Sequence, residues 1–238
     1  MSVQICVEKI SRKSGANQFL GGMKMNKRTK TITTISMLCA LAYIAVAVGR
    51  IPLVLFLKYD PKDVIIAIGG LLFGPMISFV VAFVVSFIQM ITISENGLIG
   101  FLMNVISSSS FACTAAWIYK KRRRVSGALL GLFCGWGCMI IVMLLWNYIM
   151  TPLYMGCSRQ EVIELLLPAF LPFNLVKGGL NMAITMILYK PIVTALRRAH
   201  LIETKSESTF RVQWGIILVV CAVGASCILL VLALKGFF

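Results

Sequence analysis

Asn174, Lys177 and Asn181 stand in an otherwise apolar stretch between Phe170 and Leu188. Steps of three and four residues put all three on one face of a helix, one to two turns below the entrance marked by Pro168 and Pro172. An ammonium well inside a membrane-crossing segment costs about 2.5–3.5 kcal/mol on insertion scales, so it belongs beside a partner or a wet cavity. Asn104 and Asn147, in two other apolar stretches, offer further amides with donors and an acceptor for the same cavity. The chemistry of such a set is recognition by hydrogen bonds. Its rival is a purely structural interhelical network with Lys177 snorkelling outward, which the short asparagine side chains cannot do.

Bond-breaking chemistry has little to stand on. The single histidine, His200, sits in a basic flank, and the serine run Ser107 to Ser110 has no base beside it and can return hydrogen bonds to its own backbone. No GxxxxGK[ST] phosphate loop occurs, so an ATP-driven process needs an ATPase on another subunit. Eight cysteines without a CxxC pair read as small apolar filler, not as a metal set. The reading is a binding protein without catalytic residues, metal or resident cofactor.

The elements that must hold these side chains are transmembrane helices. With 59% hydrophobic and 13% charged residues in 238, the chain has too little polar surface to cover a water-soluble core. Stretches of spanning length run from Thr31 to Val48, Pro75 to Ile93, Leu98 to Tyr119, Val125 to Met150, Phe170 to Leu188 and Trp214 to Leu234. Val64 to Phe73 is too short to span alone. The fold expected is an all-α integral membrane bundle of six helices, residues 26–200, followed by a linker, 201–212, and an extra transmembrane helix, 213–238. Residues 1–25 read as a disordered extension, with the natural start near Met23 to Met25.

The 23 lysines and arginines, against 8 acidic residues, gather in short clusters at helix ends and so read as topology signals, not as a nucleic-acid surface. A cytoplasmic N-terminus puts Lys24 to Lys30, Lys120 to Arg124 and the group from Lys190 to Arg211 inside. Lys58 and Arg159 then lie outside, as do Asp60, Asp63, Glu161 and Glu164. That topology needs the chain to descend through Val64 to Phe73 and turn at Gly74-Pro75. Ile51 to Lys62 reads as an external loop, with Asp60 or Asp63 capping the short helix after it. Gly127, Gly131 and Gly135 form a ridge for close helix packing, and Ser36, Ala40, Ala45 and Gly49 a second small-residue face. The helix carrying Trp146-Asn147-Tyr148 is expected to close at Thr151-Pro152, and Leu153 to Leu167 to form an interfacial segment.

Several of these elements resemble one family. Met37-Leu38-Cys39-Ala40, Tyr59-Asp60-Pro61-Lys62-Asp63-Val64, Phe73-Gly74-Pro75, Asn147-Tyr148 with Pro152-Leu153-Tyr154, and above all Pro172-Phe173-Asn174-Leu175-Val176-Lys177-Gly178 are similar to the riboflavin-specific S components of energy-coupling-factor (ECF) vitamin transporters. The likeness runs from about Asn26 to Arg198. It implies a six-helix substrate-binding subunit in the cell membrane, with riboflavin held near the outer face beneath the first loop. It also implies a transmembrane coupling subunit and two cytoplasmic ATPases as partners. By this likeness Asn147, Asn174 and Lys177 match flavin-contacting positions, while Tyr59, Asp60 and Asp63 lie in the covering loop. Ser36 and Ala40 fall where a coupling subunit would pack. Val85, Ser86 and Gln89 are less polar than the family pattern, and the helix after Trp214 is additional. A binding subunit for another vitamin, such as thiamine or a pyridoxine-like compound, shares the same bundle; an intramembrane enzyme or a structural subunit are the readings from other classes.

The charge asymmetry makes the topology testable. In sealed cells, on a background without native cysteines, an impermeant maleimide should label cysteines introduced at positions 58 and 159. A cysteine at position 122 should stay unlabelled, and its labelling would invert the topology.

Overall fold

The computed structural model describes residues 27–54, 57–93, 97–156 and 158–198. The expected N-terminal extension, the linker and the additional C-terminal helix lie outside the described residues. Within them the chain forms α1 (Lys27–Gly49), β1 (Ile51–Val54), β2 (Leu57–Tyr59), α2 (Lys62–Phe73), α3 (Pro75–Thr92), α4 (Gly97–Lys121) and α5 (Val125–Met155). There follow α6 (Arg159–Leu165), a π-helical turn (Leu166–Phe170) and α7 (Leu171–Arg198).

Among the described residues, five stretches are long and apolar enough to cross a bilayer: Thr31–Gly49, Pro75–Thr92, Gly97–Lys121, Ser126–Leu153 and Arg159–Leu196. Helix α2, at 12 residues, rises only about 18 Å and falls short. Its position compensates for its length. Val64, Ile66, Ala67, Ile68 and Leu71 are all buried, and α1, α3, α4 and α7 pack around it. A helix apolar on every side is stable only when surrounded, and this one forms the axis of the bundle. The outer helices are two-faced. On α3, Val81, Ala82 and Val85 face inward while Phe79, Phe83 and Phe87 face outward. So wide an apolar exterior fits lipid, not water.

The reversal between α2 and α3 requires a glycine. Gly74 adopts φ 102°, ψ 173°, a conformation closed to residues with a Cβ. Its N–H donates to the Gly70 carbonyl at 2.7 Å, and Pro75 opens α3 at a position where no N–H is needed. Ser78 Oγ donates to the Ile66 carbonyl across the turn at 2.9 Å.

Local structure departs from expectation at three points. Neither Asp60 nor Asp63 caps α2: its N-cap is Pro61, without a side-chain capping bond, because both carboxylates are drawn to buried cations. The loop after α1 contains a short antiparallel hairpin that pairs Ile51 with Tyr59. Helix α5 does not close at Thr151-Pro152 but runs to Met155 and ends on Gly156 in the left-handed conformation. One proline removes one backbone bond, and the turns on either side carry the helix past it. The segment after α5 becomes α6, opened by a reciprocal Ser158–Glu161 capping box. It continues into α7 through the π-helical turn, whose wider helical path accommodates Pro168.

The glycine ridge behaves as its spacing predicts. A Cβ at Gly131 or Gly135 would collide with the backbone carbonyl of Ala115 or Phe111 on α4, so α4 and α5 meet backbone to backbone. Gly135→Ala should therefore destabilise the detergent-solubilised protein by about 1–3 kcal/mol. Gly137→Ala, where a Cβ meets nothing within 4 Å, should be neutral or slightly stabilising in the same thermal-unfolding assay.

Candidate functional site

The C-terminal ends of α1, α3 and α5 and the N-terminal ends of α2, α4 and α7 gather at one end of the bundle, under the hairpin. The site is built there, around two carboxylates on opposite sides of the α2 entrance. Asp63 is fully buried and its Oδ2 lies 3.2 Å from Lys177 Nζ. The same oxygen accepts from Asn181 Nδ2 at 3.3 Å, while Ser108 Oγ donates to Oδ1. Lys177 also donates to Ser107 Oγ at 3.0 Å. Asn181 Oδ1 in turn accepts from the Tyr59 hydroxyl at 2.8 Å.

Asp60 serves the other side. It pairs with Arg50 (Nε at 3.2 Å) and Lys62 (Nζ at 3.8 Å), and accepts from Gln89 Nε2 at 3.0 Å. Lys62 is completely buried and donates to Gln89 Oε1 and to Ser86 Oγ. Arg50 reaches the Ile93 carbonyl at 3.4 Å. Adjacent residues on a helix point about 100° apart, and that angle lets Lys62 face α3 while Asp63 faces α4 and α7. Among the described residues, three cations against two carboxylates leave the cluster with one positive charge in excess.

The predicted amides divide into two groups. Asn181 belongs to the Asp63 set. Asn174 and Asn147, both buried, turn their Nδ2 groups back to their own helices, onto Phe170 O at 2.7 Å and Met143 O at 2.8 Å. Asn174 Oδ1 is left buried without a hydrogen-bond partner, a state that costs about 1–3 kcal/mol unless something fills it. Asn104 is buried on α4 one turn before Ser108 and stands apart from the Asp63 set. Beside them Tyr59, Phe170, Phe173 and Val176 form an apolar cluster flanked by Leu144, Leu165 and Leu166. Burial and the neighbouring Asp63 and Asp60 push the Tyr59 hydroxyl well above its ordinary pKa, so it remains a donor.

Sequence reasoning missed Arg50, Lys62, Ser86, Gln89, Ser107 and Ser108 as members of this network. Ser86 and Gln89, three apart on one helical face and both buried, carried the available signal. Of the serine run, Ser110 does bond back to Ser107 O, whereas Ser107 and Ser108 turn to Lys177 and Asp63. On α1, Ser36 and Ala40 are exposed, while Leu38, Ala42 and Val46 point into the bundle.

A bundle of apolar helices that gathers buried hydrogen-bonding groups at one end has the architecture of a membrane-embedded binding subunit. Comparison with known proteins agrees. Residues 30–189 match the family described as ECF transporter, substrate-specific component, and the chain belongs to that family. It is 28% identical over 188 residues to the riboflavin transporter RibU of Staphylococcus aureus (strain TCH60), covering 75% of this chain and 98% of that one. To the riboflavin transporter FmnP of Bacillus subtilis (strain 168) it is 27% identical over 188 residues, covering 73% and 99%. A solved S component of a bacterial ECF transporter superposes with a TM-score of 0.61 at 28% identity, covering 73% of this chain and all of that one.

The Asp63–Lys177 pair alters what removal of Lys177 should do. From sequence, Lys177→Met relieves a membrane-embedded charge and leaves stability unchanged or raised, unless a buried carboxylate has lost its partner. Asp63 is that carboxylate. Lys177→Met should therefore lower apo stability by about 3–5 kcal/mol, and adding Asp63→Asn should recover much of the loss. Thermal unfolding of both variants checks this; an unchanged melting temperature in the single variant would mean the pair contributes nothing.

Proposed function

We propose that this subunit captures riboflavin at the outer face of a prokaryotic plasma membrane, with its N-terminus cytoplasmic. It would deliver the vitamin together with a transmembrane coupling subunit and two ATPases. The observation that carries the reading is the unpartnered Asn174 Oδ1, buried on the same helix face as Lys177 and next to the Tyr59–Phe173 cluster. A flat isoalloxazine ring has an apolar body for such a wall and a uracil-like edge of alternating carbonyls and N–H groups. Asn174 Oδ1 accepts from a ring N–H. Lys177 has three donors, of which Asp63 and Ser107 occupy two, and the third reaches a ring carbonyl. Asn147 and Asn104 complete the amide set, and the ribityl hydroxyls lie nearer the mouth under the hairpin. The excess positive charge of the cluster suits an electron-rich carbonyl edge.

The relatives support the choice of ligand, since both are named riboflavin transporters. Binding needs no nucleotide, whereas accumulation against a gradient does, and the energy enters through the partners. The coupling contact is the outward face of α1 at Ser36 and Ala40, small enough for a partner helix to approach closely.

Equilibrium titration of the purified subunit, read by quenching of flavin or tryptophan fluorescence, tests the ligand. Riboflavin should bind tightly and thiamine not at all; the reverse order would overturn the assignment. Asn174→Leu should weaken riboflavin roughly tenfold to a hundredfold, as expected for a buried hydrogen bond in a dry pocket. Ala40→Trp should abolish uptake by the assembled transporter and leave the subunit's own riboflavin affinity intact. Equal loss of both would place Ala40 in internal packing.

A further inference from the structure

The inward face of α5 changes character toward the hairpin end of the bundle. Leu132, Met139 and Met143 are buried and apolar; Asn147 and Thr151 follow at steps of four and are buried too, while Ile141, Leu145, Ile149 and Leu153 are exposed on the other side. Thr151 has no exposed surface, and its hydroxyl has no hydrogen-bond partner among the described residues. Other threonines of this chain fare differently. Thr33, Thr92 and Thr194 each donate to the carbonyl four residues earlier, at 2.9, 2.8 and 2.9 Å, as threonines in helices commonly do. The next residue makes the Thr151 turn more polar still. Pro152 lies inside the helix and has no N–H, so the Tyr148 carbonyl, in the same turn as Thr151, loses its helical donor. Leu144, Asn147 and Thr151 stand at i, i+3 and i+7, the spacing that aligns Asn174, Lys177 and Asn181 on α7. Leu144 packs against the Tyr59–Phe173 cluster. Thr151 therefore lies about 10 Å further along the same face, where α6 and the π-helical turn pack onto α5.

We infer that Thr151 is a specificity-determining residue whose hydroxyl binds a hydroxyl of the ribityl chain, so that the subunit selects flavins carrying a polyol over flavins without one. The inference rests on the riboflavin reading, which seats the isoalloxazine ring against the Tyr59–Phe173 wall and sends the ribityl chain toward the mouth. A polyol needs partners that give and accept hydrogen bonds along its length. The Thr151 hydroxyl does both, and the Tyr148 carbonyl adds an acceptor in the same turn. Asn174 and Lys177 read the edge of the ring and are indifferent to what the ring carries. A flavin with an apolar substituent leaves the Thr151 hydroxyl dry and unbonded, whereas a polyol bonds it. Selection thus comes from a hydroxyl that the helix itself leaves unused.

Thr151→Val tests this, because valine keeps the branched shape and removes only the hydroxyl. Riboflavin and lumiflavin, the same ring with a methyl group in place of the ribityl chain, are titrated against wild type and variant by fluorescence quenching. Thr151→Val should weaken riboflavin roughly fivefold to tenfold, the loss of one buried hydrogen bond, and change lumiflavin less than about twofold. Its melting temperature without ligand should hold or rise, since no internal bond is lost. Thr151→Ser, which returns a hydroxyl, should recover most of the riboflavin affinity. Thr185→Val removes another buried and unpartnered hydroxyl, one turn past Asn181 on α7, and should leave both affinities unchanged. Equal loss of the two flavins in Thr151→Val, or a lowered melting temperature without ligand, would overturn the proposal and place the hydroxyl in internal packing. Riboflavin binding indifferent to Thr151→Val would remove this inference alone. A wild-type subunit that binds neither flavin would remove the riboflavin reading and this inference with it.

Discussion

Everything at the polar end of this bundle depends on keeping Asp63 compensated. A carboxylate without solvent, in a medium of low polarisability, is tolerable only when cations and donors surround it completely. Here the donors come from different elements: Ser108 from α4, and Lys177 and Asn181 from α7. Meeting the needs of one residue therefore fixes the distance between helices that share no short connection. Asp60 does the same for the end of α1 and for α3, through Arg50, Lys62 and Gln89. Two acidic residues three apart, one just before and one within a helix too short to span, thus tie both halves of the subunit together at this end.

The ion pairs hold the frame, and beside it stand the groups that the proposed function assigns to the ligand: one donor of Lys177 and the carbonyl oxygen of Asn174. Under the proposed function, a ligand carboxylate would compete with Asp63 for Lys177 and leave an anion stranded, whereas a neutral carbonyl edge would accept from the ammonium without disturbing the pair.

How far the sequence revealed this depends on whether a residue's surroundings are local. The stripe of Asn174, Lys177 and Asn181 was legible because its spacing defines a face and its insertion cost demands a partner. The bundle and the glycine ridge were legible for similar reasons, through length and period. The identity of Lys177's partner was not, because Asp63 sits at a helix start, where a carboxylate ordinarily serves as a cap, and only the tertiary packing turns it inward. Lys62 looked like part of a solvated loop on the same grounds. Pro152 suggested a helix end, yet helices in an apolar surrounding continue through a proline when their neighbouring turns stay bonded.

The glycine contact between α4 and α5 has a mechanical consequence. Side chains between packed helices act as bearings: they change rotamer and let one helix slide past the other by an ångström or two. Where Gly131 and Gly135 bring the two backbones together, there are no bearings, and sliding would require the helices to separate first. Helices α4 and α5 are in that sense a rigid chassis. Any rearrangement of the bundle must therefore carry these two helices together, as one body.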